Sequence, residues 1–97
     1  MEYKGKTALI TGASSGIGLA YAHEFAKRGS NLILVARRQD ALDALAAELN
    51  AKSQVDVTVI AMDLATIEAG QKLVGAVAAK KLSVDFLINQ RKAVLHV

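Results

Sequence analysis

The chain contains no cysteine and no proline, and aromatic residues are only 4% of its 97 residues. Without cysteine there is no disulfide, no zinc–thiolate centre and no thiol nucleophile. Without proline, against about five expected from average usage, long irregular loops are disfavoured. Charge of one sign is scarce too: twelve Lys and Arg against nine Asp and Glu leave +3. The basic residues are spread in pairs, so charge alone makes no case for nucleic acid. The longest stretch free of Lys, Arg, Asp and Glu runs from Thr7 to His23; it carries three glycines and four Ser or Thr and is no membrane span. The N-terminus lacks the basic-then-apolar order of a secretory signal. What is present is a 53% hydrophobic content, enough for a core and too much for a disordered chain. The expectation is one small, soluble, cytoplasmic domain.

Hydrophobic periodicity divides the chain into alternating elements. Thr7–Thr11 is a short apolar run ending in glycines and reads as a buried strand. From Ile17 the period lengthens: Ile17, Tyr21 and Phe25 fall four apart with Ala22 and Ala26 beside them, a helix closed by Lys27, Arg28 and Gly29. Asn31–Ala36 is a second buried strand. Asp40–Ala51 is a second helix with Leu42, Leu45, Ala46 and Leu49 on one face and acids in its first turn. A third strand over Val55–Met62, a third helix over Ile67–Lys81 and a fourth strand over Val84–Ile88 follow. Apolar strands alternating with helices imply parallel pairing covered on both faces. Right-handed crossovers then give an α/β, partial doubly wound (Rossmann) sheet of four strands in the order 3-2-1-4. Residues 1–89 form this half-domain, and residues 90–97 are an atypical tail.

The segment Thr11-Gly12-Ala13-Ser14-Ser15-Gly16-Ile17-Gly18 joins the first strand to the first helix. Gly12 allows the tight turn, Gly16 lets backbone approach a pyrophosphate, and Gly18 lets the helix pack close to the sheet. The N–H groups and positive end of the helix then face a diphosphate, with Ser14 and Ser15 as hydroxyl donors. A glycine turn can be purely structural, but the strand–turn–helix context favours phosphate binding.

With that loop in place, the sequence from Lys6 to Asn89 resembles the short-chain dehydrogenase/reductase family, of the TGxxxGxG type. Val35-Ala36-Arg37-Arg38, Asp63-Leu64 and Asp85-Phe86-Leu87-Ile88-Asn89 carry the rest of the resemblance. It implies an adenine contact at Asp63 and a loop-tying role near the ribose for Asn89. The residues also choose a nucleotide. In dinucleotide folds an acid about 20 residues past the glycines binds the ribose 2′-OH and selects NAD. Here Arg37 stands at that place with Arg38 beside it. A guanidinium matches a phosphate, which an acid would repel. NADP(H) is therefore favoured over NAD(H), with Arg37 the better contact of the two and Ser14 a second by resemblance.

Past Asn89 the family pattern Asn-Asn-Ala-Gly is replaced by Gln90-Arg91-Lys92. The family's catalytic Tyr, with a Lys four residues on, has no match. Tyr21 is followed at that spacing by Phe25, and Tyr3 has Lys6 three residues on in the N-terminal segment. No residue is assigned a catalytic role. His23 and His96 stand without acids or cysteines at ligand spacing, so no metal is expected. Lys27-Arg28 and Lys80-Lys81 read as helix-end charges. The leading expectation is an NADP(H)-binding fragment of such an oxidoreductase, inactive alone and ended by truncation or frameshift. One alternative is an enzyme completed by another chain; the other is a non-enzymatic module with a relic glycine loop. A fourth strand at an open edge, and a sheet face only partly covered by the third helix, predict self-association. The tail Ala93–Val97 could pair with an edge or swap between chains.

Overall fold

A computed structural model describes residues 3–13, 16–62, 67–80, 84–88 and 94–96. The order is β1 (Thr7–Thr11), α1 (Gly16–Lys27), β2 (Asn31–Ala36), α2 (Gln39–Ser53), β3 (Val57–Ala61), α3 (Ile67–Ala79), β4 (Phe86–Ile88) and β5 (Val94–His96). The sheet runs β3-β2-β1-β4-β5. The first four strands in this row are parallel, with Thr7 beside Asn31, Ala8 beside Phe86 and Leu32 beside Val57. The expected order 3-2-1-4 is therefore present. To it the tail adds β5, antiparallel to β4 with Ile88 opposite Val94. Edge pairing, one of the two expectations for the tail, is what the chain adopts.

Alternation along the strands splits the core in two. Ala8, Ile10, Leu32, Leu34, Ala36, Phe86 and Ile88 face one side, where they meet Ala22, Phe25 and Ala26 of α1 and Leu42, Leu45 and Leu49 of α2. Leu9, Ile33, Val35 and Ile60 face the other side, with Leu73 of α3 and the half-buried Met62, Val77, Val84 and Leu87. On α1, Ala22, Phe25 and Ala26 of the expected stripe are buried, as is Gly18, and Tyr21 is half-buried against the same cluster; the side chain of Ile17 lies outside those described.

Local bonds fix the element ends. α1 stops where Gly29, at φ +88, donates to the Ala26 carbonyl while Ser30 donates to that of Phe25, each at 3.0 Å. This pair of bonds is a Schellman closure, and the positive φ suits glycine. α2 ends on Gln54 at φ 56, beside the Asn50 Nδ2 bond to the Val55 carbonyl at 3.0 Å. Val55 is thereby spent on the turn, so β3 starts later than the apolar run does. β4 is likewise shortened, because Asp85 is occupied with Thr7. Its carboxylate accepts the Thr7 N–H at 2.9 Å, and its own N–H reaches the Thr7 carbonyl at 2.8 Å.

Candidate functional site

The parallel strands β1 to β4 send their C-terminal ends to one edge of the sheet. The chain leaves β1 toward β2 on one side and later returns from β3 to β4 on the other. In open α/β sheets that reversal leaves a crevice beyond the strand ends. Across it the buried Thr11 donates its Oγ1 proton to the Ile88 carbonyl at 3.4 Å.

The glycine loop sits at this crevice. Gly12 leaves β1 at φ +64 and Gly16 opens α1 at φ +59, both in the left-handed region. Ala13 is buried and donates its N–H to the Val35 carbonyl at 3.2 Å, tying the loop to the end of β2. Gly18 is pressed against the strand end. A Cβ there would overlap the Gly12 carbonyl oxygen, and would lie 2.8 Å from its carbon and 3.0 Å from the Thr11 oxygen. The first N–H groups of α1 are thus held at the mouth of the crevice with the positive end of the helix. Such a start, free of side-chain bulk, fits a diphosphate.

At the end of β2, Arg37 and Arg38 are both exposed. They are not equivalent. Arg38 donates from NH2 to Oδ2 of Asp40 at 3.0 Å, and this bond is the main cause that holds the Asp40 carboxyl below its ordinary range. Among the described residues, Arg37 has no hydrogen bond or ion pair. Of the sequence-derived site residues, Gly12, Gly16, Gly18, Arg37 and Arg38 are thus gathered at one edge, with the backbone of Ile17 in the first turn of α1. Ser14, Ser15, Asp63, Leu64 and Asn89 lie outside the described residues. The residues just before two of them do reach the same edge: Met62 donates to the Ala36 carbonyl at 2.7 Å, and Ile88 pairs with Ile10.

The tyrosines are elsewhere. Tyr3 packs edge-on to Phe25 at 5.4 Å and stacks on Phe86 at 5.5 Å, with the Arg28 guanidinium 5.1 Å from its ring centre. Its carbonyl accepts from Ser30 Oγ at 2.8 Å, where β2 is about to begin. This aromatic cluster, which periodicity did not reveal, clamps the opposite end of the sheet. Among the described residues no group of three or more His, Cys, Asp and Glu could hold a metal ion. Sequence reasoning also passed over Asp40, noticed only as a first-turn acid.

The family model of the short chain dehydrogenases matches residues 6–91. The chain is 47% identical over 87 residues to a very-long-chain 3-oxoacyl-CoA reductase of Scheffersomyces stipitis, covering 89% of this chain and 25% of that protein. It is 42% identical over 85 residues to 11-beta-hydroxysteroid dehydrogenase-like 2 of Arabidopsis thaliana, covering 88% of this chain and 28% of that protein. The chain thus spans about a quarter of the length of the curated relatives it matches. Among solved structures, L-sorbose reductase of Gluconobacter frateurii complexed with NADPH and L-sorbose superposes with a TM-score of 0.84 at 42% identity, covering 96% of this chain and 36% of that one. An alcohol dehydrogenase of the archaeon Thermococcus sibiricus complexed with 5-hydroxy-NADP gives 0.80 at 36% identity, covering 87% and 36%.

Proposed function

This chain belongs to the short chain dehydrogenase family, and on that premise we propose that it is the NADP(H)-binding part of an oxidoreductase, with little or no catalysis of its own. The observation that carries the choice of nucleotide is the Arg37 guanidinium, exposed and unpaired among the described residues, at the end of β2, one strand over from the glycine loop. The NADPH and 5-hydroxy-NADP held by two structural relatives agree with it. The names of the curated relatives point to interconversion of a carbonyl and a hydroxyl group. In that chemistry a bound nicotinamide gives or takes the hydride. The role of this chain is to hold the diphosphate at the start of α1 and the 2′-phosphate at Arg37. The proton relay of the family has no counterpart in its residues.

Thermal unfolding tests the proposal. Ligand at about 100 times its dissociation constant adds roughly 2.7 kcal/mol. For a domain of this size about 4–8 °C accompanies each kcal/mol, so the midpoint should rise by roughly 10–20 °C with NADP(H) and by less with NAD(H). No rise with either at millimolar concentration overturns the reading.

Self-association belongs to the same proposal. On the α3 side of the sheet, Leu73 is the one helix residue in the buried cluster among the described side chains, and Met62, Val84 and Leu87 are half-buried around it. Copies of the chain that cover this face for one another would sediment as a dimer or larger species. A monodisperse monomer, with and without nucleotide, would rule that out.

A further inference from the structure

We propose that Asp40 tempers the preference of this site for a 2′-phosphorylated nucleotide by holding the guanidinium of Arg38. The inference rests on the reading that the glycine loop and Arg37 take NADP(H). It adds a residue to which neither the motif nor the family resemblance gives a role.

Side chains two apart inside a helix do not face each other. Arg38 escapes that rule because it stands at the N-cap of α2 with extended backbone, φ −101 and ψ 108. From there its NH2 reaches Oδ2 of Asp40 at 3.0 Å. The neighbouring acid is otherwise engaged: Asp43 accepts from Gln39 Nε2 at 2.8 Å. Among the described residues, Asp40 is therefore the carboxylate that answers the arginine pair. Its carboxyl is held below the ordinary range first by the Arg38 bond and then by the Ala41 N–H, so it is charged wherever nucleotide binding is measured.

The pair is open to water, with side-chain exposures of 73% and 74%. Exposed pairs of this kind exchange readily and contribute little to stability. A 2′-phosphate arriving at the end of β2 therefore meets one guanidinium, Arg37, that is unpaired among the described residues, and one that must be won from a carboxylate. It also meets the charge of that carboxylate. Asp40 is three residues from Arg37, at most about 11 Å along the chain, near one screening length at 0.1 M salt. Removing the Asp40 charge frees Arg38 for the phosphate and leaves the ribose 2′-OH of NAD indifferent.

The test is a double-mutant cycle read by calorimetric titration with NADP+ and NAD+. In the otherwise unchanged chain, Asp40→Asn should raise the ratio of NADP+ to NAD+ affinity about three- to fivefold, the size of one surface guanidinium–phosphate pair gained. In an Arg38→Gln background the same change should raise it less than about twofold, because the guanidinium it would release is gone. A purely structural role would move both affinities together and leave the ratio alone. An unchanged or lowered ratio in Asp40→Asn overturns the proposal. So does an equal gain in both backgrounds, which would mean that Asp40 acts without Arg38. The unsubstituted chain reports separately on the underlying reading. If it shows no preference for NADP+, the Arg37 assignment fails and this inference falls with it; if it shows the preference and the cycle is flat, only this inference fails.

Discussion

Gly18→Ala is expected to destabilise the fold by about 1–3 kcal/mol, and to abolish nucleotide-induced stabilisation with it. The added methyl would sit in the Gly12 carbonyl oxygen and within 3.0 Å of the Thr11 oxygen. Both obstacles are backbone, so no rotamer change relieves them. Either the start of α1 lifts from the end of β1 or the loop between them is displaced. The first loses the burial of Ala22 and Ala26 one and two turns further along. The second moves the N–H groups that face the crevice. Alanine is the better helix former by about 0.8–1 kcal/mol, so intrinsic propensity works against the expected loss.

Gly75→Ala is the internal control. Gly75 lies in α3, is exposed, and has nothing within 4 Å of a Cβ added to it. There the propensity term acts alone, and a gain of up to about 1 kcal/mol is expected. Urea unfolding of the two variants should therefore give changes of opposite sign for the same chemical substitution. Equal effects would show that the contact between Gly18 and the strand end is not what requires glycine there.

Gly18 also shows which features a sequence reveals. Its need for glycine comes from a neighbour six residues away, so the motif carries it. The same is true of Gly29, whose closure bonds reach no further than Phe25. β1 and β2 have the bounds expected of them, because apolar runs flanked by glycines and polar residues are local patterns. What the sequence hides is pairing over distance. Nothing in the periodicity of α1 says that Phe25 will meet Tyr3 and Phe86, since those contacts exist only once β4 lies beside β1. The bonds between Thr7 and Asp85 arise from the same register and shorten β4 for the same reason. Gln54 in the left-handed region is hidden differently: its conformation goes with the Asn50 bond to Val55, not with any preference of glutamine. At the site itself, the position of Arg37 could be counted from Gly18. Its inequality with Arg38 could not, because that depends on the extended N-cap backbone that lets Arg38 turn to Asp40.

That inequality makes Arg37→Asp the sharpest test of nucleotide choice. The expected result is a reversal, with NAD(H) binding tighter than NADP(H). Arg37 is exposed and unpaired among the described residues, so its replacement should change stability by no more than about 0.5 kcal/mol. The effect on binding has two parts of the same sign. Losing a charged hydrogen bond to the 2′-phosphate costs about 1.5–3 kcal/mol, and a carboxylate in its place repels that phosphate. The same carboxylate accepts a bond from the free 2′-OH of NAD, which favours NAD by about a further 0.5–1.5 kcal/mol. Together these move the ratio of affinities by about 2–4 kcal/mol, or roughly 30- to 1,000-fold. Arg38 limits the swing, since a phosphate abandoned by Arg37 can still compete with Asp40 for the second guanidinium. The reversal should therefore be larger when Arg37→Asp is combined with Arg38→Gln than in the single variant. Thermal shifts with each nucleotide read both variants on one scale. A single variant that keeps the original order and magnitude of preference would show that the 2′-phosphate is held somewhere other than the end of β2.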